Sequence, residues 1–177
     1  MNSPTDIELM QQLRAGSEAA LRQLIERHRE RLFRIAYGLL GDHDAAADAV
    51  QETFIRLWRH SRRYDQRQSL STWLCTICAR RCYDELRRRR RHYATAASLY
   101  TEAVNTDAMA TEELLALLNN AVATLPPKQR VVYRLREIEG FSAEETAAAT
   151  GMSADQVKAN LCVARNKVRE KLQKYGI

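Results

Sequence analysis

The chain has 177 residues, and its 28 lysines and arginines against 22 aspartates and glutamates give it a formal net charge of +6. This length allows one domain or two small ones, and the basic balance favours a polyanionic partner without proving one. No stretch approaches the roughly 18 apolar residues of a membrane span, and the N-terminus lacks the basic and then apolar pattern of a signal peptide, so we expect a cytoplasmic protein.

Apolar residues recur at helical spacing along the chain, which predicts an all-α protein. In the first half we expect four helices, with a loop over Ser61–Gln68 before the last of them and an arginine run over Arg87–Arg91 near its end. Each helix begins at a residue whose side chain can accept a hydrogen bond from the free N–H groups of the first turn. These capping residues are Thr5, Ser17, Asp42 or Asp44, and Ser69 or Ser71.

The third and fourth predicted helices have distinctive surfaces. The third combines an apolar ridge with Asp48, Gln51 and Glu52 in an otherwise basic half, which is typical of docking to a basic partner helix; the alternative is a solvated acidic face. The fourth brings aromatic rings and arginines near the preceding loop, which suits single-stranded DNA, with the core as the alternative place for its tryptophan. Those residues are Trp73, Arg80, Arg81 and Tyr83.

Three cysteines, Cys75, Cys78 and Cys82, fall on one stripe of the predicted fourth helix. Such a stripe usually belongs to the core, and the alternatives are a metal site or redox sensing. A metal site needs a fourth ligand, and His92 lies nearly three turns beyond Cys82 on the same helix. We therefore expect no metal and no cofactor. The sequence also shows no clustered carboxylates, metal-ligand set or phosphate loop, which argues against an enzyme.

Residues 94–110 are small and polar and include no lysine or arginine, as is typical of a linker. Fully extended, this segment reaches at most about 55–60 Å, enough to place two domains on sites more than a turn of duplex apart. We therefore expect two small helical domains, residues 1–93 and 111–177, joined by a flexible linker. In the second domain, Pro126–Pro127 ends one helix and opens another, which stops at Gly140.

The end of the chain has a helix-turn-helix pattern. Ser142 with Glu145, and Ser153 with Gln156, form two capping boxes, and Gly151 between them permits a tight turn. Two capped helices joined through a glycine also occur in ordinary bundles, but in this motif the second helix enters the major groove of DNA. The side chains expected there are Gln156, Lys158, Ala159 and Asn160, with the cations Arg165, Lys167, Arg169 and Lys171 facing outward.

Over nearly its whole length the chain resembles the extracytoplasmic-function group of bacterial sigma factors. Four segments show the resemblance: Asp48–Trp58, Ser71–Leu74, Asp84–Arg89, and Leu125–Val132 ahead of the helix-turn-helix. The group are promoter-recognition subunits of RNA polymerase and are not enzymes. The resemblance implies a region 2 domain that binds core polymerase and melts the −10 element, and a region 4 domain that reads the −35 element.

The resemblance also implies partners and contact residues. The expected partners are promoter DNA, the β′ clamp helices and β flap of core polymerase, and an anti-sigma factor or other regulatory protein. The implied polymerase contacts are Asp48, Gln51, Glu52, Phe54, Leu57 and Trp58. The implied −10 contacts are Arg62, Arg63, Trp73, Arg80, Arg81, Tyr83, Arg87 and Arg88. The implied −35 contacts are Ser153, Gln156, Lys158, Ala159, Asn160, Val163, Arg165 and Lys167.

The chain departs from the family pattern at several contact positions. Arg80 stands where relatives often have asparagine, and Ala159, Asn160 and Val163 stand where they commonly have serine and two arginines. This change predicts a different upstream element, with an A·T pair read by Asn160 or Gln156. Two other functions remain as alternatives. One is a free-standing dimeric helix-turn-helix regulator, and the other is an adaptor that binds only protein.

Overall fold

The computed structural model describes the backbone of residues 4–95 and 110–175, and the side chains of residues 4–91 and 114–175. Within these ranges there are eight α-helices and no strand, which confirms the all-α class. A 3₁₀ turn, Ser61–Arg63, follows the third helix, and a π-helical segment, Arg134–Ile138, continues the sixth. The helices are α1 Asp6–Arg14, α2 Glu18–Leu40, α3 His43–His60, α4 Leu70–Thr95, α5 Ala110–Ala123, α6 Pro127–Tyr133, α7 Ala143–Thr150 and α8 Ala154–Gln173.

The helices start where the capping residues predict. The side chain of Asp42 accepts a hydrogen bond from the Ala45 N–H, and Ser69 accepts one from the Thr72 N–H at 3.1 Å. These bonds decide between the two alternatives that the sequence leaves open at each of these starts. At the C-terminal end of α2, Gly41 adopts the left-handed conformation, with φ of 66°, and ends the helix.

Helices α2, α3 and α4 pack around the core of the first half, and α1 lies against α2. Arg14 fastens α1 to the turn after α3 by donating to the carbonyl oxygens of Ser61 and Tyr64. The thiols of Cys75, Cys78 and Cys82 are buried, as the core interpretation predicts. No described helix has both the length and the apolar character needed to cross a membrane.

The second half contains the predicted helix-turn-helix. Helix α7 ends at Gly151, whose φ is 70°, and Met152 is buried directly after this turn, before α8 begins. A small core holds α5 to the far end of α8; it consists of Ala121, Val122, Leu125, Ala164 and Val168.

The predicted linker, residues 94–110, lies outside the described residues except at its ends. Residues 94 and 95 belong to α4, and residue 110 begins α5. The two halves are packed together, because α6 and α7 both lie against α4. This packing is not evident from the sequence, which predicts only that the two domains are separate along the chain.

We expect Gly151→Ala to lower the free energy of unfolding by about 1–2 kcal/mol, because a Cβ atom is strained in the left-handed region. A Cβ at this position would meet no other atom within 4 Å, so the loss would come from the backbone alone. Urea denaturation measures it. Ala148→Ser, an exposed change in α7, is the control and should stay within about 0.5 kcal/mol. Equal stability of the two variants would contradict a strained turn.

Candidate protein and nucleic-acid interfaces

A groove of about 720 Å³ runs between α2 and α3 and is lined mostly by apolar side chains. From α3, Val50, Phe54 and Trp58 follow one another at helical spacing along one wall. The Trp58 side chain is 60% exposed, although indole is among the largest apolar groups. Exposed apolar surface of this kind marks sites of protein interaction. The remaining lining residues are Leu21, Ile25, Arg29, Glu30, Phe33, Ala47, Gln51 and Ile55.

The residues predicted to bind polymerase differ in their position relative to the groove and in their burial. Gln51, Phe54 and Trp58 line the groove, while Asp48 is exposed beside it and lines a neighbouring polar cavity. Glu52 accepts a hydrogen bond from Arg56 at 3.0 Å. Leu57 is fully buried, so its predicted partner contact is corrected here: it faces the core and holds α3 in place.

Sequence reasoning missed the other wall of the groove, which α2 supplies. Leu21 and Ile25 of α2 are only half-buried, and Phe33 lies two turns beyond Ile25. Their spacing of four and eight residues was a visible signal. What the sequence could not show is that α3 leaves this part of the α2 face uncovered.

The aromatic residues predicted to bind the −10 element differ in exposure. Trp73 is half-buried, and the centre of its ring lies 5.5 Å from that of Tyr64, which is itself buried within the predicted loop. The Tyr83 side chain is only 4% exposed, with the Arg87 guanidinium 5.8 Å from the centre of its ring. Tyr83 is therefore not available for stacking on a base in this conformation, which corrects its predicted role here.

The arginines predicted to bind DNA in the first half also differ in their exposure and in their hydrogen-bond partners. Arg62, Arg63, Arg80 and Arg87 are exposed, and Arg81 is partly buried. Arg88 is also exposed, but it donates two hydrogen bonds to Glu85, at 2.8 and 2.9 Å. These bonds hold the pKa of the Glu85 carboxyl below its usual range.

Glu85 also joins the arginine run to the start of α3. Arg89 binds Glu85 and Asp42, each at 3.0 Å, and Asp42 caps α3. The arginine run is thus not a uniform phosphate-binding strip, because these ion pairs tie Arg88 and Arg89 to the protein's own carboxylates.

The helix-turn-helix presents the outer face of α8. Ser153, Gln156, Lys158, Ala159 and Val163 are exposed, as the motif requires. This face is also ordered by its own hydrogen bonds. The Gln156 side chain accepts from the Ser153 N–H at 3.1 Å, and the Asn160 amide donates to the Gln156 carbonyl at 2.8 Å.

The cations further along α8 have partners from the helix before the motif. Arg165 binds Glu137 at 2.8 Å, and Lys167 donates to the Gln129 side chain at 3.0 Å. Arg136 and Arg169 line a cavity together with Lys158 and Arg165. The sequence places Arg169 on the outward face of α8, whereas Arg136 comes from the π-helical segment and only the fold brings it there.

Comparison with known proteins matches each half of the chain to a family model. Residues 24–92 match the family model for Sigma-70 region 2, and residues 115–168 match the model for Sigma-70, region 4. The first match covers most of the helices that form the groove, and the second covers most of the helix-turn-helix half. Together they define the class as sigma-70-type proteins.

Curated relatives show which group of sigma-70-type proteins the chain belongs to. SigM of Mycobacterium tuberculosis, named an ECF RNA polymerase sigma factor, is 30% identical, with 91% of this chain and 81% of the relative covered. SigL from the same species is also 30% identical and is covered over 95% of its length. SigE of Mycolicibacterium smegmatis is 32% identical, but the chain spans only 66% of its length. The chain belongs to the ECF RNA polymerase sigma factors.

Solved structures show the same fold. The sigma factor RpoE from Bartonella quintana, in complex with the anti-sigma factor NepR, superimposes with a TM-score of 0.69 at 28% identity. The match covers 86% of this chain and 96% of that one. CnrH, in complex with the cytosolic domain of CnrY, superimposes with a TM-score of 0.64 at 25% identity over 94% of this chain and 96% of that one.

We expect Leu57→Ala and Trp58→Ala to affect the stability of the fold very differently, although the residues are neighbours. Leu57→Ala should lower the free energy of unfolding by about 2–5 kcal/mol because it leaves a cavity in the core. Trp58→Ala removes an exposed ring and should change the free energy of unfolding by no more than about 0.5 kcal/mol. Urea denaturation monitored by circular dichroism compares them, and similar losses in both variants would contradict the assignment of Leu57 to the core.

Proposed function

We propose that this sigma factor binds core RNA polymerase through the groove between α2 and α3 and directs initiation at specific promoters. The observation that carries the proposal is the groove itself, since Phe54 and Trp58 form an apolar wall bordered by the exposed polar residues Gln51 and Asp48. An aromatic anchor in an apolar groove with a polar rim is the usual centre of a protein interface. A basic helix of the polymerase clamp suits the acidic side of this rim.

The two domains, residues 1–93 and 111–177, would then each bind one element of the promoter. In the second, the exposed face of α8 would enter the major groove at the −35 element, with Asn160 and Gln156 reading bases. In the first, Arg62, Arg63, Arg80 and Arg87 would bind the strand opened at the −10 element.

Opening DNA in this way requires binding and no chemical step. A base captured from the opened strand would offset an unstacking cost of a few kcal/mol, so the factor would select the melted strand without hydrolysing a nucleotide. The protein would therefore act as a specificity subunit and not as an enzyme, and it would do so in the cytoplasm with the polymerase.

Regulation would come from a second protein that competes for the same surfaces. Both solved structures described above are complexes with a protein partner, in one case named an anti-sigma factor. The groove between α2 and α3 is an apolar surface that such a partner could cover.

Run-off transcription tests the proposal directly. The purified chain should co-elute with core RNA polymerase and start transcripts on genomic fragments that core polymerase alone leaves silent. DNA binding without co-elution would favour the free-standing regulator, and binding to neither would favour the protein adaptor.

We expect Trp58→Ala to weaken binding to core polymerase by about tenfold or more, because exposed aromatic anchors dominate interface energy. Ile7→Ala is a matched control, since Ile7 is another exposed large apolar residue, 47% exposed on α1 and away from the groove. Titration of labelled protein with core polymerase gives both affinities. Equal losses in the two variants would rule out the groove as the docking site.

We expect Asn160→Ala to relax the preference for one A·T pair upstream, by about 5-fold to 150-fold, which corresponds to one lost amide contact of about 1–3 kcal/mol. Asn166→Ala is the control, because Asn166 is an exposed asparagine further along the same helix. Promoter selection with the holoenzyme compares the variants. No upstream preference in the parent protein would show that α8 does not read this element.

A further inference from the structure

A cavity of about 490 Å³ lies between the C-terminal part of α2 and α5, on a different part of α2 from most of the groove described above. Phe33, Arg34 and Tyr37 line it from α2, Asn119 lines it from α5, and Arg134 lines it from the π-helical segment. Cavities that bind small molecules have volumes of about 300–1,000 Å³ and combine apolar side chains with a few polar groups. This space, named here the α2–α5 cavity, has both properties.

Two glycines at the end of α2 make room for the cavity. The Arg134 guanidinium lies so close to Gly38 that a Cβ atom at residue 38 would collide with it. A Cβ atom at Gly41 would meet no other atom within 4 Å. Arg134 is only 6% exposed, and its guanidinium donates to the Asn119 side chain at 3.2 Å. The guanidinium is therefore held in place before any ligand binds, which lowers the entropy cost of binding.

The α2–α5 cavity is positively charged. Arg34 and Arg134 both line it, and the lining residues that the structure describes include no carboxylate. Burial holds the pKa of the Arg134 guanidinium below its usual range, and the nearby charge of Arg34 acts in the same direction. Glu139 opposes this shift from outside the cavity lining. A bound anion would offset the repulsion between the two guanidinium groups and the cost of burying one of them.

The rest of the lining suits an apolar, planar group. The rings of Phe33 and Tyr37 are nearly parallel, with an angle of 8° between their planes and 6.0 Å between their centres. Ala116 and Ala123 add methyl groups from α5. Aromatic rings pack well against other aromatic rings in offset or edge-on arrangements. An inorganic anion would leave this apolar surface in water, whereas an anion that carries a ring would cover it.

We propose that the α2–α5 cavity binds a small aromatic carboxylate, whose carboxylate group pairs with Arg34 and Arg134 and whose ring packs against Phe33 and Tyr37. The planar fork of an arginine matches the two oxygens of a carboxylate. The proposal does not rest on the proposed function, because it requires neither polymerase nor DNA. Phe33 also lines the groove between α2 and α3, so a ligand in the cavity would contact a ring that the groove also uses.

Cinnamate, a flat aromatic carboxylate, is the probe. Isothermal titration calorimetry of the full chain should show saturable binding of one cinnamate per chain, and saturating cinnamate should raise the midpoint of thermal unfolding. Cinnamyl alcohol has the same carbon skeleton and no charge. We expect it to bind about tenfold more weakly, because it cannot form charge-assisted hydrogen bonds with the two arginines.

Arg34→Gln is the main variant, since Arg34 is exposed and its replacement should leave the fold intact. We expect it to bind cinnamate at least about tenfold more weakly than the parent chain and to bind cinnamyl alcohol equally well. Arg22→Gln is the matched control, because Arg22 is an exposed arginine on the same helix, about 18 Å away along its axis. It should bind both compounds like the parent chain.

Two further variants locate the bound probe. Ala116→Phe places a ring in the α2–α5 cavity and should weaken the binding of both compounds, since it fills the space without changing the charge. Trp58→Ala alters the groove between α2 and α3 and should leave cinnamate binding unchanged. Circular dichroism verifies the helix content of every variant.

Three results would overturn the proposal. The first is the absence of saturable cinnamate binding at millimolar concentration. The second is equal affinity of the parent chain for cinnamate and cinnamyl alcohol, which would exclude a role for the arginines. The third is a loss of cinnamate binding in Trp58→Ala but not in Arg34→Gln, which would place the probe in the groove between α2 and α3. None of these results depends on whether the chain directs transcription.

Discussion

Helix α4 is buried on two sides at once, and the arrangement of the other helices depends on this burial. On one side the Cys78 thiol approaches the Leu32 carbonyl of α2 at 3.8 Å. On another side, Cys75 lies near Glu139 of the second half. Small side chains such as Cys75 and Ala79, both buried, let neighbouring helices approach closely. A bulky residue on either side would displace α2 or the second half.

The exposed groove exists because α3 covers only part of α2. Ala46 and Leu57 of α3 face the core, Val50 and Phe54 are buried along the groove wall, and Trp58 turns outward. A helix that anchors itself with one stripe and presents an adjacent stripe can bind a partner without loss of its own stability. This separation explains why adjacent residues, Leu57 and Trp58, have different roles.

Part of the positive charge of this protein acts within the fold. Arg14 joins α1 to the turn after α3, Arg89 joins α4 to the start of α3, and Arg130 and Arg134 join the two halves. Arginine suits these positions because its planar fork can bind several carbonyl or carboxylate oxygens at once. Net charge therefore overstates the surface that is free for nucleic acid.

The sequence by itself determined most of the helix starts, the all-α class and the helix-turn-helix. Capping bonds and helical periodicity join residues three or four positions apart, such as Ser142 with Glu145, and are visible in the order of residues. It also determined much of the groove, because Phe54 and Trp58 share one stripe of α3. Only the tertiary structure decided that Tyr83 is buried, that Arg88 binds Glu85, and that Arg134 occupies the space at Gly38. Those facts depend on which helices meet or how side chains pack, and contacts between residues far apart in sequence leave no local pattern to read.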